Sequence, residues 1–291
     1  MIGILEYKNE PESTFIQDLM QKIGRHYEWI TYHQLPTPFT NNYKVILDRV
    51  SFGNEFLNTA LKIQSFNGCY VINNPFSMDV LNKGIDFAVM QKHRIPYPKT
   101  FILSSNTEEY DMNDMIGDVD WDLITREFSF PLIIKPILGG GWTDVFEVNN
   151  LDELKNKYNE YASKEIMIIQ EKIKADAFVR TFCIGKEKAK AMKYIAAPFG
   201  AGRIVMNDLP KHLTDKIEDW SLKFCKSVDM DFNVVEWAVK GDEAFVIDAL
   251  NENPDVTKDK IPTEYYDWIV DELAAFMKDA VTYGWKNKHV F

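Results

Sequence analysis

Cysteine is scarce in this sequence. The three cysteines, Cys69, Cys183 and Cys225, lie far apart in a chain of 291 residues. Their odd number, and the lack of any CxxC pair or Cys/His cluster, argue against a disulfide framework and against a structural zinc site. This use of cysteine is typical of a reducing compartment, so we expect a cytoplasmic protein.

Long apolar runs and a surplus of basic residues are also missing. No segment approaches the ~20 apolar residues that a membrane-spanning helix needs, so we expect no membrane partner. The first residues turn acidic after one short apolar run and carry no basic stretch, so we expect no signal peptide. Acidic residues outnumber basic ones 44 to 33, which gives a net charge of −11. This balance argues against a nucleic-acid partner, because phosphate backbones require a basic protein face.

The remaining composition, with 46% hydrophobic and 26% charged residues, is that of an ordinary globular protein. At ~150 residues per domain, the length predicts about two domains or one composite unit. Short apolar strands alternate with amphipathic helices at the start of the chain. The strands are predicted at 2–6, 29–32, 43–47 and 70–72, and the helices at 13–26 and 56–66. This alternation predicts a small βαβ domain with a mostly parallel sheet.

The rest of the chain is predicted to mix helices with hairpin-forming strands. Helices are expected at 83–92, 151–162, 212–228 and 265–282. Strands are expected at 100–103, 132–135, 145–148, 166–170, 179–184, 188–194, 233–239 and 244–248. The acid-rich stretch 104–122 is expected to be a loop with a short helix.

A glycine run, Gly139, Gly140 and Gly141, lies between two apolar strands, and Trp142 follows it. Glycine lets backbone N–H groups approach phosphate closely, although a flexible hairpin tip would look the same. Lys135 ends the preceding strand, where its ammonium group must reach a cleft or solvent. The cation beside the glycines favours a polyphosphate site, of neither the GxxxxGK[ST] nor the GxGxxG design. Trp142 is interpreted either as a lid residue on the nucleotide or as an anchor for the loop.

Two acids near the end of the chain form a second candidate site. Glu236 lies within one apolar strand and Asp248 ends the next, so a hairpin would make them neighbours. Paired carboxylates on adjacent strands are costly unless a cation joins them, and Asn251 adds an amide oxygen. This set favours Mg²⁺ bound to phosphate. The alternative is that strand alternation directs one acid to solvent.

A third, weaker signal lies at residues 168–173, with Asp176 and Arg180 beyond. A strand that ends in an irregular segment offers backbone groups to an adenine edge, and a nearby acid accepts hydrogen bonds from ribose hydroxyls. The alternative is a solvated charged loop.

Together these segments resemble a known superfamily. In order, the chain shows Asn82-Lys83, IPYPKT, FPLIIKP, GGGW, IIQEKI, FVRTFCIG, VVEWAV and VIDALNENPD. Their order and spacing, over roughly residues 70–255, are similar to those of the ATP-grasp superfamily, in particular the RimK- and glutathione-synthetase-like carboxylate–amine ligases. The resemblance implies an α/β (α+β) fold with a pre-ATP-grasp βαβ domain at 1–78 and a two-lobed ATP-grasp domain at 79–291. A lid subdomain is expected at about 104–172.

The resemblance also implies roles for individual residues. Those that would bind ATP are Lys83, Lys135, Gly139, Gly140, Gly141, Trp142, Gln170, Glu171, Lys172, Ile173 and Asp176. The two lysines would neutralise the α/β-phosphates, the glycine loop would cover the β/γ-phosphates, residues 170–173 would form the adenine hinge, and Asp176 would bind ribose. The family usually has Asp before the first lysine, where this chain has Asn82.

At the reacting end, the resemblance implies Arg180 and Arg203 as catalytic arginines. Arg180 matches the arginine near the γ-phosphate and acyl intermediate, and Arg203 matches a second arginine that binds substrate or phosphate. Metal ligands would be Glu236, Asp248 and Asn251, with Asn253 as the competitor for the third place.

The implied activity is ATP- and Mg²⁺-dependent activation of a carboxylate as an acyl phosphate, followed by attack of an amine and release of ADP and phosphate. Two Mg²⁺ ions are expected, with Mn²⁺ as an alternative. The alternatives to an amide-forming ligase are a small-molecule kinase, a ligase acting on a carrier-protein thiol, and a nucleotide-binding protein without turnover. The expected partners are small-molecule or peptide substrates and a second copy in a homodimer.

Arg49 gives a separate hypothesis. It follows the strand predicted at 43–47, at the carboxyl end of the parallel sheet, where α/β folds usually bind ligands. We therefore expect Arg49 to bind a substrate carboxylate or phosphate. A salt bridge with Asp48 or another acid explains the residue equally well.

Overall fold

The computed structural model describes residues 1–7, 13–105, 116–197 and 201–284. Its strands form three sheets, one parallel and two antiparallel, and helices pack against each sheet. The α/β class expected from the sequence is confirmed. Among the residues that the structure describes, no helix is both long enough and apolar enough to cross a membrane.

The first sheet is parallel, in the order β2–β1–β3–β4. Its strands are Ile2–Leu5 (β1), Tyr27–Trp29 (β2), Val45–Asp48 (β3) and Tyr70–Ile72 (β4), and its helices are Ser13–Ile23 (α1) and Glu55–Phe66 (α2). Strand alternation divides the apolar residues between two faces. Leu47 packs in the cluster that contains α1, whereas Ile46 packs with Leu61 of α2. The sheet therefore has a helix on each face, as the βαβ prediction requires.

The second sheet is antiparallel, in the order β5–β8–β6–β7. Its strands are Thr100–Ile102 (β5), Leu132–Pro136 (β6), Phe146–Val148 (β7) and Met167–Glu171 (β8). Before it come Ser77–Val80 (α3) and Lys83–His93 (α4), and within it Trp121–Glu127 (α5) and Leu151–Tyr161 (α6). Ile124 of α5 and Leu154 of α6 pack on Leu132 and Ile134 of β6. Those helices cover one face and leave the other free to form a cleft wall.

The third sheet is antiparallel, in the order β11–β10–β9–β12–β13. Its elements are Ala177–Ile184 (β9), Lys188–Ile195 (β10), Arg203–Val205 (β11), Lys211–Val228 (α7), Phe232–Lys240 (β12), Glu243–Asp248 (β13) and Thr263–Tyr283 (α8). One face packs on α7 and α4, and the other packs on α8. The α8 cluster also contains α1 and strands of the first sheet, so these two sheets share one core.

Asn73 joins the first sheet to the third. Its Oδ1 accepts hydrogen bonds from the backbone N–H groups of Asp231 (2.8 Å) and Phe232 (2.7 Å). Its Nδ2 donates to the carbonyl oxygen of Phe232 (2.8 Å). Tyr70 adds a hydrogen bond of 2.7 Å from its hydroxyl group to Asp231 Oδ2. The carboxyl end of β4 is thereby fixed to the start of β12.

Some boundaries differ from the sequence predictions. The second strand was expected at 29–32 but spans Tyr27–Trp29, because Tyr27 pairs with Ile2 and Trp29 with Ile4. A short helix was expected within the stretch 104–122, of which residues 106–115 lie outside the described part of the chain. The helix begins at Trp121, because the side chain of Asp120 caps it by accepting a hydrogen bond from Leu123 N (2.8 Å). β11 was not predicted. The boundaries proposed at residue 78 and for the lid subdomain stay predictions.

Candidate active site

Lys135 lies on the face of β6 opposite the packed one. Leu132 and Ile134 point into the core beneath α5 and α6, so strand alternation directs Lys135 the other way. Only 8% of the residue is exposed. Its Nζ donates a hydrogen bond of 2.8 Å to the carbonyl oxygen of Ile247 on β13. Lys135 therefore connects the second sheet to the third across a cleft.

Lys83 reaches this cleft from the first turn of α4. Asn82 caps the helix, because its Oδ1 accepts hydrogen bonds from the N–H groups of Gly84 (2.9 Å) and Ile85 (3.2 Å). Nζ of Lys83 donates to the carbonyl oxygen of Gly139 at 2.7 Å. Asn and Asp cap helices about equally well. The replacement of the usual Asp by Asn82 therefore leaves Lys83 in place.

The glycine run forms the turn between β6 and β7. A Cβ at Gly139, Gly140 or Gly141 would meet no atom within 4 Å, so lack of space does not explain the glycines. Conformation explains two of them, since φ is +98° at Gly139 and +65° at Gly141. Trp142 also has a positive φ and is 50% exposed. The main chain of Gly139 is the part of this loop that contacts Lys83.

The predicted pairing of the two acids is confirmed. Glu236 and Asp248 are cross-strand partners on β12 and β13, with an irregularity just after Glu236. On its other side, Glu236 pairs with Arg180 of β9, and Nη2 of Arg180 lies 2.7 Å from Glu236 Oε1. Arg180 and Glu236 share the sheet face that carries Phe182 and Val234 of the α8 core. The three ionisable residues therefore form a row across the third sheet.

The two predicted arginines have different surroundings. The Arg180 guanidinium carbon lies 3.9 Å from the centre of the Tyr194 ring, and the side chain is 19% exposed. Arg203 opens β11 as the cross-strand partner of Ile195 and is exposed to solvent. Only Arg180 lies in the row of ionisable groups.

Burial changes the charge behaviour of the cleft. It raises the pKa of Glu236, and Arg180 opposes the shift while Asp248 adds to it. It lowers the pKa of Lys135, against the attraction of Asp248. Such shifts arise where charged groups lose water without fully replacing it, and they are typical of sites that bind charged ligands.

Asp86 is a residue of this cleft that the sequence reasoning missed. It is 1% exposed, and its Oδ1 has no hydrogen-bond partner among the described residues. Burial raises its pKa to about 8; Asp248 adds to the shift, and Lys83 and Lys135 oppose it. Its spacing in the sequence could have predicted this burial, because a residue four positions before the buried Met90 lies on the packed face of α4.

The predicted adenine hinge lies at the end of β8. Gln170 is 3% exposed, and its Nε2 donates to Thr100 Oγ1 at 3.0 Å. Glu171 is exposed, and its backbone N–H donates to the carbonyl oxygen of Lys99 at 2.9 Å. After the strand ends, Lys172 and Ile173 leave the sheet. The side chain of Gln170 is committed to the sheet, so a nucleotide contact at this residue would use its main chain.

Asp176 lies against the turn between β12 and β13. Its backbone N–H donates to the carbonyl oxygen of Val239 (2.7 Å), and its Oδ2 accepts from the N–H of Gly241 (2.8 Å). The ribose role assigned to Asp176 stays a prediction.

Two asparagines compete for the role of amide ligand. The backbone of Asn251 is fixed, because its N–H donates to Asn233 Oδ1 at 2.8 Å and its carbonyl oxygen accepts from Val234 N at 3.2 Å. Oδ1 of Asn253 is buried and has no partner among the described residues. In the described part of the chain no three His, Cys, Asp or Glu residues form a metal-binding cluster. A metal here would rely on two acids and an amide.

Arg49 lies inside the protein, beside the loop that follows β13. Its side chain is fully buried and forms an ion pair with Glu6. Nη2 also donates to the carbonyl oxygen of Pro254 at 3.1 Å, and the guanidinium carbon lies 5.4 Å from the centre of the Phe15 ring. This is the salt-bridge alternative, with Glu6 rather than Asp48 as the acid. The substrate-binding role of Arg49 stays a prediction.

In comparison with protein families, residues 81–265 match the model of the RimK-like ATP-grasp domain. The α-aminoadipate–LysW ligase LysX of Saccharolobus solfataricus is 25% identical over 191 residues, which cover 60% of this chain and 62% of LysX. A D-alanine–D-alanine ligase of Francisella philomiragia is 34% identical over 92 residues, which cover 31% of this chain and 26% of that ligase. Each match thus spans less than two thirds of the curated relative.

The fold is also similar to solved structures. D-alanine–D-alanine ligase from Bacillus anthracis in complex with ATP superposes with a TM-score of 0.72 over 99% of this chain and 98% of that one. At 16% sequence identity this likeness concerns the fold alone.

Proposed function

The chain belongs to the RimK-like ATP-grasp family, and from that premise we propose that it is an ATP- and Mg²⁺-dependent carboxylate–amine ligase. In the proposed reaction, a substrate carboxylate oxygen attacks the γ-phosphorus of ATP, which gives an acyl phosphate and ADP. An amine then attacks the acyl carbon, and inorganic phosphate leaves as the amide forms. The observation that carries the proposal is the buried Lys135 in a cleft that also contains the Arg180–Glu236–Asp248 row.

The nucleotide would lie between the second and third sheets. Lys83 and Lys135 would neutralise the α/β-phosphates, and the glycine loop would cover the β/γ-phosphates with its backbone N–H groups. The contact between Lys83 and Gly139 supports this arrangement, since it already brings a cation to the loop. Residues 170–173 would receive the adenine, and Asp176 the ribose.

The donor set fits a hard divalent cation. The two neighbouring carboxylates of Glu236 and Asp248 are oxygen ligands of the kind that Mg²⁺ prefers, and the raised pKa of Glu236 reflects burial that a cation would offset. Asn251 is the proposed third ligand, and the unpartnered Oδ1 of Asn253 makes it the competitor. Bound Mg²⁺ would supply positive charge at the β/γ-phosphates. We propose two such ions, with Mn²⁺ as an alternative.

Catalysis would depend on position and charge. Arg180, supported by Arg203, would stabilise the negative charge that develops on the transferred phosphoryl group and the acyl intermediate. Binding both substrates in the cleft would replace an encounter in solution by an oriented one. The reaction requires no protein nucleophile.

The substrates are proposed to be a small-molecule or peptide carboxylate and an amine, handled by a cytoplasmic homodimer. Residues 1–78 would form the pre-ATP-grasp domain, and residues 79–291 the clamp with its lid at about 104–172. The runners-up are a small-molecule kinase and a ligase that acts on a carrier-protein thiol. No specific observation favours either over amide formation.

Phosphate release from ATP, measured with pairs of candidate acids and amines, tests the proposal. A ligase releases phosphate only when both substrates are present, whereas a phosphorylated product from one substrate alone indicates a kinase.

Asp248→Asn should lower turnover by about 100-fold or more, because it removes a charge that binds the proposed cation. Asp242→Asn, whose side chain is 82% exposed, is the matched control and should leave turnover unchanged. Unaltered turnover in Asp248→Asn would refute the metal assignment.

A further inference from the structure

Few contacts hold the guanidinium group of Arg180. Its Nη2 pairs with Glu236 Oε1 at 2.7 Å, and its central carbon lies over the Tyr194 ring, 3.9 Å from the ring centre. Nε is buried and has no partner among the described residues. In the proposed function Glu236 also binds the cation, so the ion pair would be shared when Mg²⁺–ATP arrives. The Tyr194 ring is then the contact that does not change.

Tyr194 is itself firmly held. It lies on β10 between Phe178 of β9 and Ile204 of β11, and 8% of the residue is exposed. It packs in the apolar cluster that the third sheet shares with α8. An aromatic face attracts a guanidinium group and fixes the plane of its donors, because the ring quadrupole is negative on that face.

Gly202 provides the space for the far end of this ring. A Cβ built on Gly202 would lie 1.8 Å from Oη of Tyr194 and 2.3 Å from Cζ, far inside any allowed contact. The backbone of Gly202 does not require a positive φ, so the need for glycine here is steric. Any side chain at residue 202 must push the Tyr194 ring away, and the ring lies beneath Arg180.

We propose that Tyr194 is a positioning residue that holds the Arg180 guanidinium plane toward the γ-phosphoryl group, and that Gly202 makes this placement possible. The inference rests on the proposed function, since it assumes that Arg180 meets the terminal phosphate. Loss of the ring removes no charge from the cleft and changes only the orientation of the Arg180 guanidinium group. The affinity for ligands that carry a γ-phosphate should therefore fall, whereas the affinity for ligands that end at the β-phosphate should not change.

The test compares the Mg²⁺ complexes of ADP and of the non-hydrolysable ATP analogue adenylyl imidodiphosphate, by titration calorimetry on the full chain. The ratio of their dissociation constants reports the γ-phosphate contact alone. In Tyr194→Leu the preference for the analogue should fall about tenfold, with ADP affinity unchanged. Arg180→Met should lose the same preference, and Tyr194→Phe should keep it because the ring is retained.

Gly202→Ala displaces the same ring without replacing any residue that contacts Arg180. It should also lower the preference for the analogue about tenfold. Gly53→Ala is its matched control, because a Cβ there meets no atom within 4 Å and the backbone needs no positive φ. In the Tyr194→Leu background, Gly202→Ala should have no further effect. A further additive loss would refute the steric link between the two residues.

Failure of the inference and failure of the proposed function give different results. If the wild-type protein binds neither nucleotide, the proposed function fails and the inference fails with it. If it binds both, but Tyr194→Leu and Gly202→Ala leave the preference unchanged or weaken ADP equally, the positioning role alone is overturned. Gly202→Ala keeps the test decisive if Tyr194→Leu does not fold.

Discussion

Two regions of this protein bury charge, and they do so in opposite ways. At the carboxyl end of the parallel sheet, Arg49 forms an ion pair with Glu6 and donates to the carbonyl oxygen of Pro254. In the cleft between the antiparallel sheets, the Lys135 ammonium group contacts a neutral carbonyl oxygen, and Oδ1 of Asp86 has no partner in the described part of the chain. Charge is satisfied within the protein in the first region and left incompletely satisfied in the second.

The difference separates structural from ligand-binding charge. A buried ion costs free energy unless an opposite charge or hydrogen bonds replace its water. In the Glu6–Arg49 pair, each buried charge has an opposite charge within the protein. The hydrogen bond from Arg49 to Pro254 also supports the loop that carries Asn251 and Asn253. In the cleft, Arg180 and Glu236 form an ion pair, but Lys135 bonds only a carbonyl oxygen and Asp86 Oδ1 has no partner among the described residues. We therefore expect a charged ligand to supply the missing partners. Three predictions test this contrast.

The largest effect is expected at the parallel sheet. Arg49→Met should lower the free energy of unfolding by about 3–5 kcal/mol, because it leaves the Glu6 carboxylate buried without its partner. Denaturation in urea measures the change. The double substitution of Glu6→Leu with Arg49→Met should recover part of the loss, since no charge then remains buried. An Arg49→Met protein of normal stability and raised substrate KM would instead support the substrate-binding hypothesis.

A smaller effect, on ligand binding instead of stability, is expected at Lys135. Lys135→Met should weaken ATP binding by about 2 kcal/mol or roughly 30-fold, because the phosphates lose a buried cation. Its free energy of unfolding should be unchanged or higher, since the folded protein no longer desolvates an ammonium group. Titration with ATP and urea denaturation measure the two quantities. A loss of stability as large as that of Arg49→Met would remove the contrast between the regions.

The smallest effect is expected from the pH dependence of Asp86, measured over the single pH unit between pH 6 and pH 7. Its pKa is raised from 3.8 to about 8 in the folded protein, so between those values the folded state binds a proton that the unfolded state has released. Stability should therefore fall as pH rises through this window, by at most about 1.4 kcal/mol per pH unit, and level off above it. Asp86→Asn should remove this component of the slope. An identical slope in the variant, measured by urea denaturation at pH 6 and 7, would contradict the assignment.

Patterns local in sequence predicted much of the fold. Period-two and period-3.6 spacing located the βαβ start, the hairpin of Glu236 and Asp248, and the long helices α7 and α8. They failed where neighbours set the boundary, as at β2, whose ends depend on pairing with Ile2 and Ile4. β11 is short, and its pairing with β10 decides that it is a strand.

The sequence by itself determined which chemistry is present: a lysine ending an apolar strand, glycines that adopt positive φ, and acids on paired strands. Only the tertiary structure decided which charges meet. Glu6 and Arg49 are 43 residues apart, and Lys135 reaches a carbonyl group 112 residues away. Short-range periodicity specifies the face on which a side chain lies, whereas the packing of whole sheets specifies what lies opposite it. That is why Asp86 and Tyr194 became part of the candidate site only in three dimensions.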